Sequence, residues 1–219
     1  AWYRLAECLD PSSAGETGES GLTVEAARQE ALDALDRAIR IDPSFVDAHA
    51  ERAYLLFEAN RLDDALAATR PVAWTGVRPV WLRTWEARIL AKLGRTDDAL
   101  DRYRIVTKDA PQYLWAWELY LELLADNERH KECRTAAENA VEHNPEFVVG
   151  LGYLGDACWE LKDLSAAQKA YERSIAVSPQ YTYGASQLVR LHLQTENANA
   201  AATALATLQE RDHSPWPLQ

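Results

Sequence analysis

The sequence predicts an all-α, right-handed solenoid of about six stacked helical hairpins, and three observations support this. Pro111, Pro145 and Pro179 recur every 34 residues, and Pro43 lies at twice that interval before Pro111. Twelve places before these prolines stand Ala31, Ala99, Cys133 and Ala167, and the same phase recurs at Ala65 and Ala201. Each interval carries two apolar segments of helical period and none with strict alternation. A fixed repeat of this length in a helical background marks an array in which each hairpin buries its apolar face against its neighbours.

Taken in order, residues 1–9 read as a short helix with Trp2, Leu5, Ala6 and Leu9 on one face. The stretch 11–21 holds three glycines and no large apolar side chain, so repeat 1 (1–45) is expected to carry a protease-sensitive loop insertion over 10–22. Helix resumes near Thr23 and runs to about Ile41, with Ala31, Leu35 and Ala38 facing inward. Further repeats follow near 46–79, 80–113, 114–147, 148–181 and 182–213, and 214–219 reads as a tail or linker. Second helices start near Leu62, Thr96, Arg129, Leu164 and Ala198. Thr96 is a candidate N-cap, and Ser165 with Gln168 has capping-box spacing. The recurring prolines stop the second helices, because proline disfavours helix in the residue before it. Pro71 falls inside a second helix, where it costs roughly 3 kcal/mol, so a local distortion is expected between repeats 2 and 3. The last helix is alanine-rich around its circumference, so the C-terminal edge is expected to be covered by the Trp216 tail, by a second copy through self-association, or by a further domain.

The composition excludes several function classes. A net charge of −11 repels phosphate backbones, so nucleic acid is not an expected partner. No apolar run reaches the roughly 20 residues of a membrane span. Three scattered cysteines form no disulfide framework and point to a reducing, cytoplasmic setting. The chain contains no methionine and reads as a piece of a longer protein.

Three motifs have residue types that could carry chemistry. Gly150, Gly152 and Gly155 match GxGxxG, but inside a helix with no preceding strand, so close helix packing is the better reading than a dinucleotide site. His130, Cys133 and His143 lack the fourth ligand and tight clustering that zinc needs. Cys158 and His192 share one phase of adjacent repeats, a phase otherwise held by apolar Leu56, Leu90 and Leu124. No catalytic residue, metal or cofactor is therefore expected, and the chain does not read as an enzyme.

Trp117, Gly155, Gly94, Ala99, Tyr103, Ala140 and Pro111 stand at seven phases of one repeat unit. In those residue types and that period the chain resembles the tetratricopeptide repeat family over nearly its whole length. Arg83 and His49 depart from the early aromatic of the unit, and Leu121 from its small residue. The resemblance implies a concave surface lined by the first helices, with a groove formed by Tyr54, Phe57, Trp81, Arg88, Trp115, Glu118, Glu122, Asp156, Trp159, Tyr183 and Arg190. It implies a protein–protein interaction scaffold whose ligand is a peptide or partner helix with apolar and basic residues. The places of a carboxylate clamp for acidic chaperone tails hold Tyr3, Glu7, Tyr54, Trp81 and Trp85, none of which matches such a clamp. Two other readings fit the sequence. One is a regulatory or substrate-recruiting arm of a larger enzyme such as a glycosyltransferase. The other is a prenyltransferase α-like subunit, which also places tryptophan six residues after proline, as in Pro79 to Trp85 and Pro111 to Trp117.

Overall fold

The structure is a computed structural model that describes residues 24–71 and 78–212, with side chains placed through residue 206. The first helix of repeat 1, the 10–22 insertion, Trp74 and the 214–219 tail lie outside the described residues. Eleven helices and no strand occur among the described residues. They are α1 (Val24–Ile41), α2 (Val46–Glu58), α3 (Leu62–Ala68), α4 (Val80–Lys92), α5 (Thr96–Asp109), α6 (Leu114–Asp126), α7 (His130–His143), α8 (Val148–Glu160), α9 (Leu164–Val177), α10 (Thr182–Gln194) and α11 (Ala198–Asp212).

The chain divides within α5 into two compact units, Ala1–Arg102 and Tyr103–Gln219. In the first, α2 pairs with α3 and packs on α1, and α4 packs on both α2 and α3. Its core joins Ala31, Leu35, Ala53, Leu56, Ala65 and Ile89. In the second, α6–α7, α8–α9 and α10–α11 are hairpins, stacked through α7 on α8 and α9 on α10. Around Tyr171 its core gathers Cys158, Ala167, Leu188 and Leu191. The recurring small residues Ala31, Ala65, Ala99, Cys133, Ala167 and Ala201 are all buried, which is what close approach of paired helices requires.

A second recurrence lies in the turns. Asn60, Gly94, Glu128, Lys162 and Glu196, each 34 residues from the next, all have positive φ, between 56° and 75°. The residue after each one donates its N–H five residues back, as in Arg61 to Leu56 O (2.9 Å) and Asp163 to Cys158 O (2.9 Å). This left-handed stop satisfies carbonyls that the ending helix leaves open. Only Gly94 adopts it without steric cost. Replacing Lys162 with glycine is therefore expected to stabilise the fold by about 1 kcal/mol, read as a higher urea midpoint, and Gly94→Ala to lose a similar amount.

The turn also decides where the next helix begins. Arg61, Arg95 and Arg129 follow the left-handed residue, and each pairs at 2.6 Å with an acid three residues on: Asp64, Asp98 and Glu132. In the next repeat Asp163 holds this place and caps α9 by accepting from Ala166 N (3.1 Å). The expected capping box at Ser165 and Gln168 is thus corrected, because both residues lie inside α9. Thr96 is likewise the first residue of α5 and follows Arg95, which occupies the place of the cap residues Arg61 and Arg129.

The distortion expected at Pro71 is present. Helix α3 has 7 residues where α5, α7 and α9 each have 14. A fully buried carboxylate, Glu86 on α4, ties the exit of α3 to the entry of α4. Arg70, at the exit of α3, reaches Glu86 Oε1 with Nη2 at 2.7 Å and Nε at 2.9 Å. Arg78, before α4, lies 2.5 Å from Glu86 Oε2 in poor hydrogen-bonding alignment, and it donates to Thr69 O at 2.9 Å. Arg102 adds a third guanidinium, with Nε 3.2 Å from Oε1.

Candidate partner-binding face

The first helices carry the expected groove residues, and some of these are in mutual contact within each unit. In the first unit, α2 presents Tyr54 and Phe57, and α4 presents Trp81, Trp85 and Arg88 at helical steps of four and three. The Trp85 ring stands edge-on to Tyr54 (centroids 5.7 Å apart) and to Phe57 (5.5 Å). The Arg88 guanidinium caps both rings, 5.2 Å from the Phe57 centroid and 5.0 Å from that of Trp85. This cation–π stack fixes an otherwise floppy side chain. Trp85 holds a clamp place in the sequence but is not among the residues expected to form the ligand-binding groove. Its spacing four after Trp81 and three before Arg88 was the available signal.

In the second unit, Asp156 on α8 is the node. It accepts from the hydroxyl of Tyr171 on α9 (2.7 Å) and from that of Tyr183 on α10 (2.8 Å). Arg190 lies over the Trp159 ring (5.8 Å) and donates to Gln187 Oε1 (3.0 Å). These side chains line a cleft of about 190 Å³ between α8 and α10. Burial raises the Asp156 carboxyl above the usual aspartate range, against the pull of the two tyrosine donors and Arg190. Burial also raises the Tyr171 and Tyr183 hydroxyls, so they remain donors. Tyr181 lies in the fields of both Asp156 and Glu118.

On α6, Trp115 is half-buried and edge-on to Tyr113 (6.2 Å), while Glu118 and Glu122 are exposed. Among the described residues no hydrogen bond or ion pair engages either glutamate side chain. Their fields, with that of Asp126, add to burial in raising the Tyr153 hydroxyl.

The glycines of the GxGxxG stretch and the two described cysteines are closely packed. Gly155 lies against the Tyr171 ring, and Gly152 faces the Tyr181 hydroxyl and the Tyr183 ring. Burial pushes the Cys133 thiol up to about 12 and raises that of Cys158, which keeps both protonated and poor nucleophiles. Among the described residues no group of three or more His, Cys, Asp or Glu side chains is arranged to hold a metal. No described helix is long and apolar enough to cross a membrane.

Comparison with known proteins agrees with this fold. The tetratricopeptide repeat family matches residues 28–70, 86–132 and 122–182, and the chain belongs to that family. Among solved structures, MamA (41-end) from Desulfovibrio magneticus RS-1 is 16% identical, with a TM-score of 0.64 over 78% of this chain and 97% of that one. A further MamA structure is 13% identical, with a TM-score of 0.65 over 80% and 96%. YrrB, described as a TPR protein with an unusual peptide-binding site, is 15% identical, with a TM-score of 0.62 over 84% and 94%. No curated protein matches the chain. Membership places the chain in a class of protein-interaction scaffolds.

Proposed function

We propose that the chain binds a peptide or partner helix on the first-helix face of its second unit, across α6, α8 and α10. The observation that supports this reading is the aromatic cleft of Asp156, Trp159, Tyr183 and Arg190, whose side chains are already held by one another. A surface ordered before binding loses less entropy when a ligand arrives. Glu118 and Glu122 sit one turn apart on α6 without an internal cation, so a basic ligand residue meets them, while Trp115, Trp159 and Tyr183 supply contact area. The cluster of Tyr54, Phe57, Trp85 and Arg88 offers a second patch within the first unit. An array that served as the recruiting arm of a larger enzyme would use the same faces.

The affinity expected for such a ligand is micromolar, roughly −8 kcal/mol. Acidic chaperone tails are not expected to bind this face, since a carboxylate there meets Glu118 and Glu122. The test is a titration of a basic aromatic peptide followed by tryptophan fluorescence. Saturable binding that weakens roughly tenfold in Glu118→Ala/Glu122→Ala or in Trp115→Ala supports the reading. Binding indifferent to both variants overturns it.

A further inference from the structure

We infer a second binding site, for an acidic peptide segment with an apolar anchor, in the cleft between α5 and α7. The cleft lies within the second unit, measures about 580 Å³, and is separate from the face proposed above. Short side chains, Thr107 on α5 and Thr135 and Ala136 on α7, line its walls. Its two sides are tied by Arg104 to Glu132 (3.8 Å), by Asn144 Nδ2 to Pro111 O (2.7 Å) and by Gln112 Nε2 to His143 O (3.2 Å).

The floor is apolar and fixed. Trp117 and Tyr120 from α6 lie with ring centroids 6.3 Å apart. Trp117 Nε1 donates to Pro111 O at 2.9 Å, so the one polar atom of that ring is satisfied and its carbon edge faces the cleft wall. The rim is cationic, with Arg104 and Lys108 from α5 and Lys131 from α7. Glu132 is the only carboxylate among the lining residues, and it is already shared by Arg129 at 2.6 Å and Arg104 at 3.8 Å. Lys108 and Lys131 are exposed, and among the described residues no hydrogen bond or ion pair engages their side chains.

The chain as a whole carries a charge of −11, so three cations on one cleft with a neutralised acid form a local field of the opposite sign. A cleft with low-dielectric walls focuses such a field on an incoming anion. Carboxylates of the ligand meet Lys108, Lys131 and Arg104, and one apolar side chain enters over Trp117 and Tyr120. The overall negative charge disfavours a nucleic acid, whose phosphates would be repelled beyond the cleft.

The experiment titrates the full chain with an acetylated, amidated peptide in which glutamates flank a single leucine, followed by calorimetry at low and at physiological ionic strength. Binding is expected, weakening with salt. Reversing the rim with Lys108→Glu/Lys131→Glu is expected to cost roughly tenfold or more in affinity. Thr135→Phe, which fills the cleft and leaves the charge unchanged, is expected to weaken binding similarly. Circular dichroism verifies that these surface variants keep the helical fold. Trp115→Ala and Glu122→Ala should leave this affinity unchanged, which separates the two sites. The inference is overturned if the peptide does not bind, if the rim and filling variants bind it as tightly as the parent, if only the Trp115 and Glu122 variants lose it, or if a single-stranded oligonucleotide binds the same rim more tightly.

Discussion

Replacing Glu86 with glutamine is expected to destabilise the unit of residues 1–102 by about 3 kcal/mol, at the lower end of the cost of breaking a buried ion pair. Glutamine keeps the shape of the side chain but removes the charge on which Arg70, Arg78 and Arg102 converge. Three guanidiniums then face one another around a neutral group. Their exposures of 42%, 22% and 44% let water screen part of that repulsion, which is why the upper end of the range is not expected. The effect is mechanical as well as electrostatic. Through Glu86 the exit of α3 and the entry of α4 are held to one point, and Arg78 adds its bond to Thr69 O. In the variant, amide exchange should rise first in α3, which has only 7 residues and little helical stability of its own. Added salt should restore part of the lost stability, because the new repulsion is between partly exposed cations. A variant as stable as the parent at low salt, with unchanged exchange in α3, would falsify the clamp.

The period and phase of the small residues made the array legible, since one alanine or cysteine in each repeat must fit a close helix contact. Pro71 made the short α3 legible for the same local reason. The left-handed turn has a local signature at Gly94 and a weaker one at Asn60, whereas glutamate and lysine at the other three places carry none. The cap of α9 was not legible, because Asp163 and Ser165 are both cap-type residues and only the end of the left-handed turn decides between them. The buried clamp was not legible at all. Glu86 reads as an ordinary helical acid, and its arginines stand 16 residues before it, 8 before and 16 after, so no helical or strand spacing links them. The groove residues were legible as types on faces. That Arg88 and Arg190 are already stacked on Trp85 and Trp159 depends on side-chain conformations that no repeat pattern specifies.

Gly155→Ala is expected to destabilise the second unit by about 2–4 kcal/mol, although the same change in most helix interiors stabilises by up to about 1 kcal/mol. A Cβ at position 155 would fall on the edge of the Tyr171 ring, only 2.7 Å from its Cζ. Tyr171 is 1% exposed and cannot swing into solvent, so either the ring or α9 must shift. Overpacking of this kind costs about 1–3 kcal/mol. A shifted ring also withdraws its hydroxyl from Asp156, now 2.7 Å away, and leaves a largely buried carboxylate short of a donor, at roughly 1–3 kcal/mol more. These costs outweigh the gain in helix propensity. Urea unfolding measures the loss, and Trp159, whose ring centroid is 6.4 Å from that of Tyr171, reports the local shift by fluorescence. Truncating the ring should relieve the clash, so Gly155→Ala/Tyr171→Leu is expected to be more stable than the sum of the two single changes. Gly152→Ala is the contrast within the same helix. Its Cβ meets the Tyr181 hydroxyl at 2.8 Å, the far end of a side chain that can rotate away, so its cost should be smaller. If Gly155→Ala proved no less stable than the parent, close packing against Tyr171 would not be the reason for glycine there, and the Asp156 cleft would not depend on that contact.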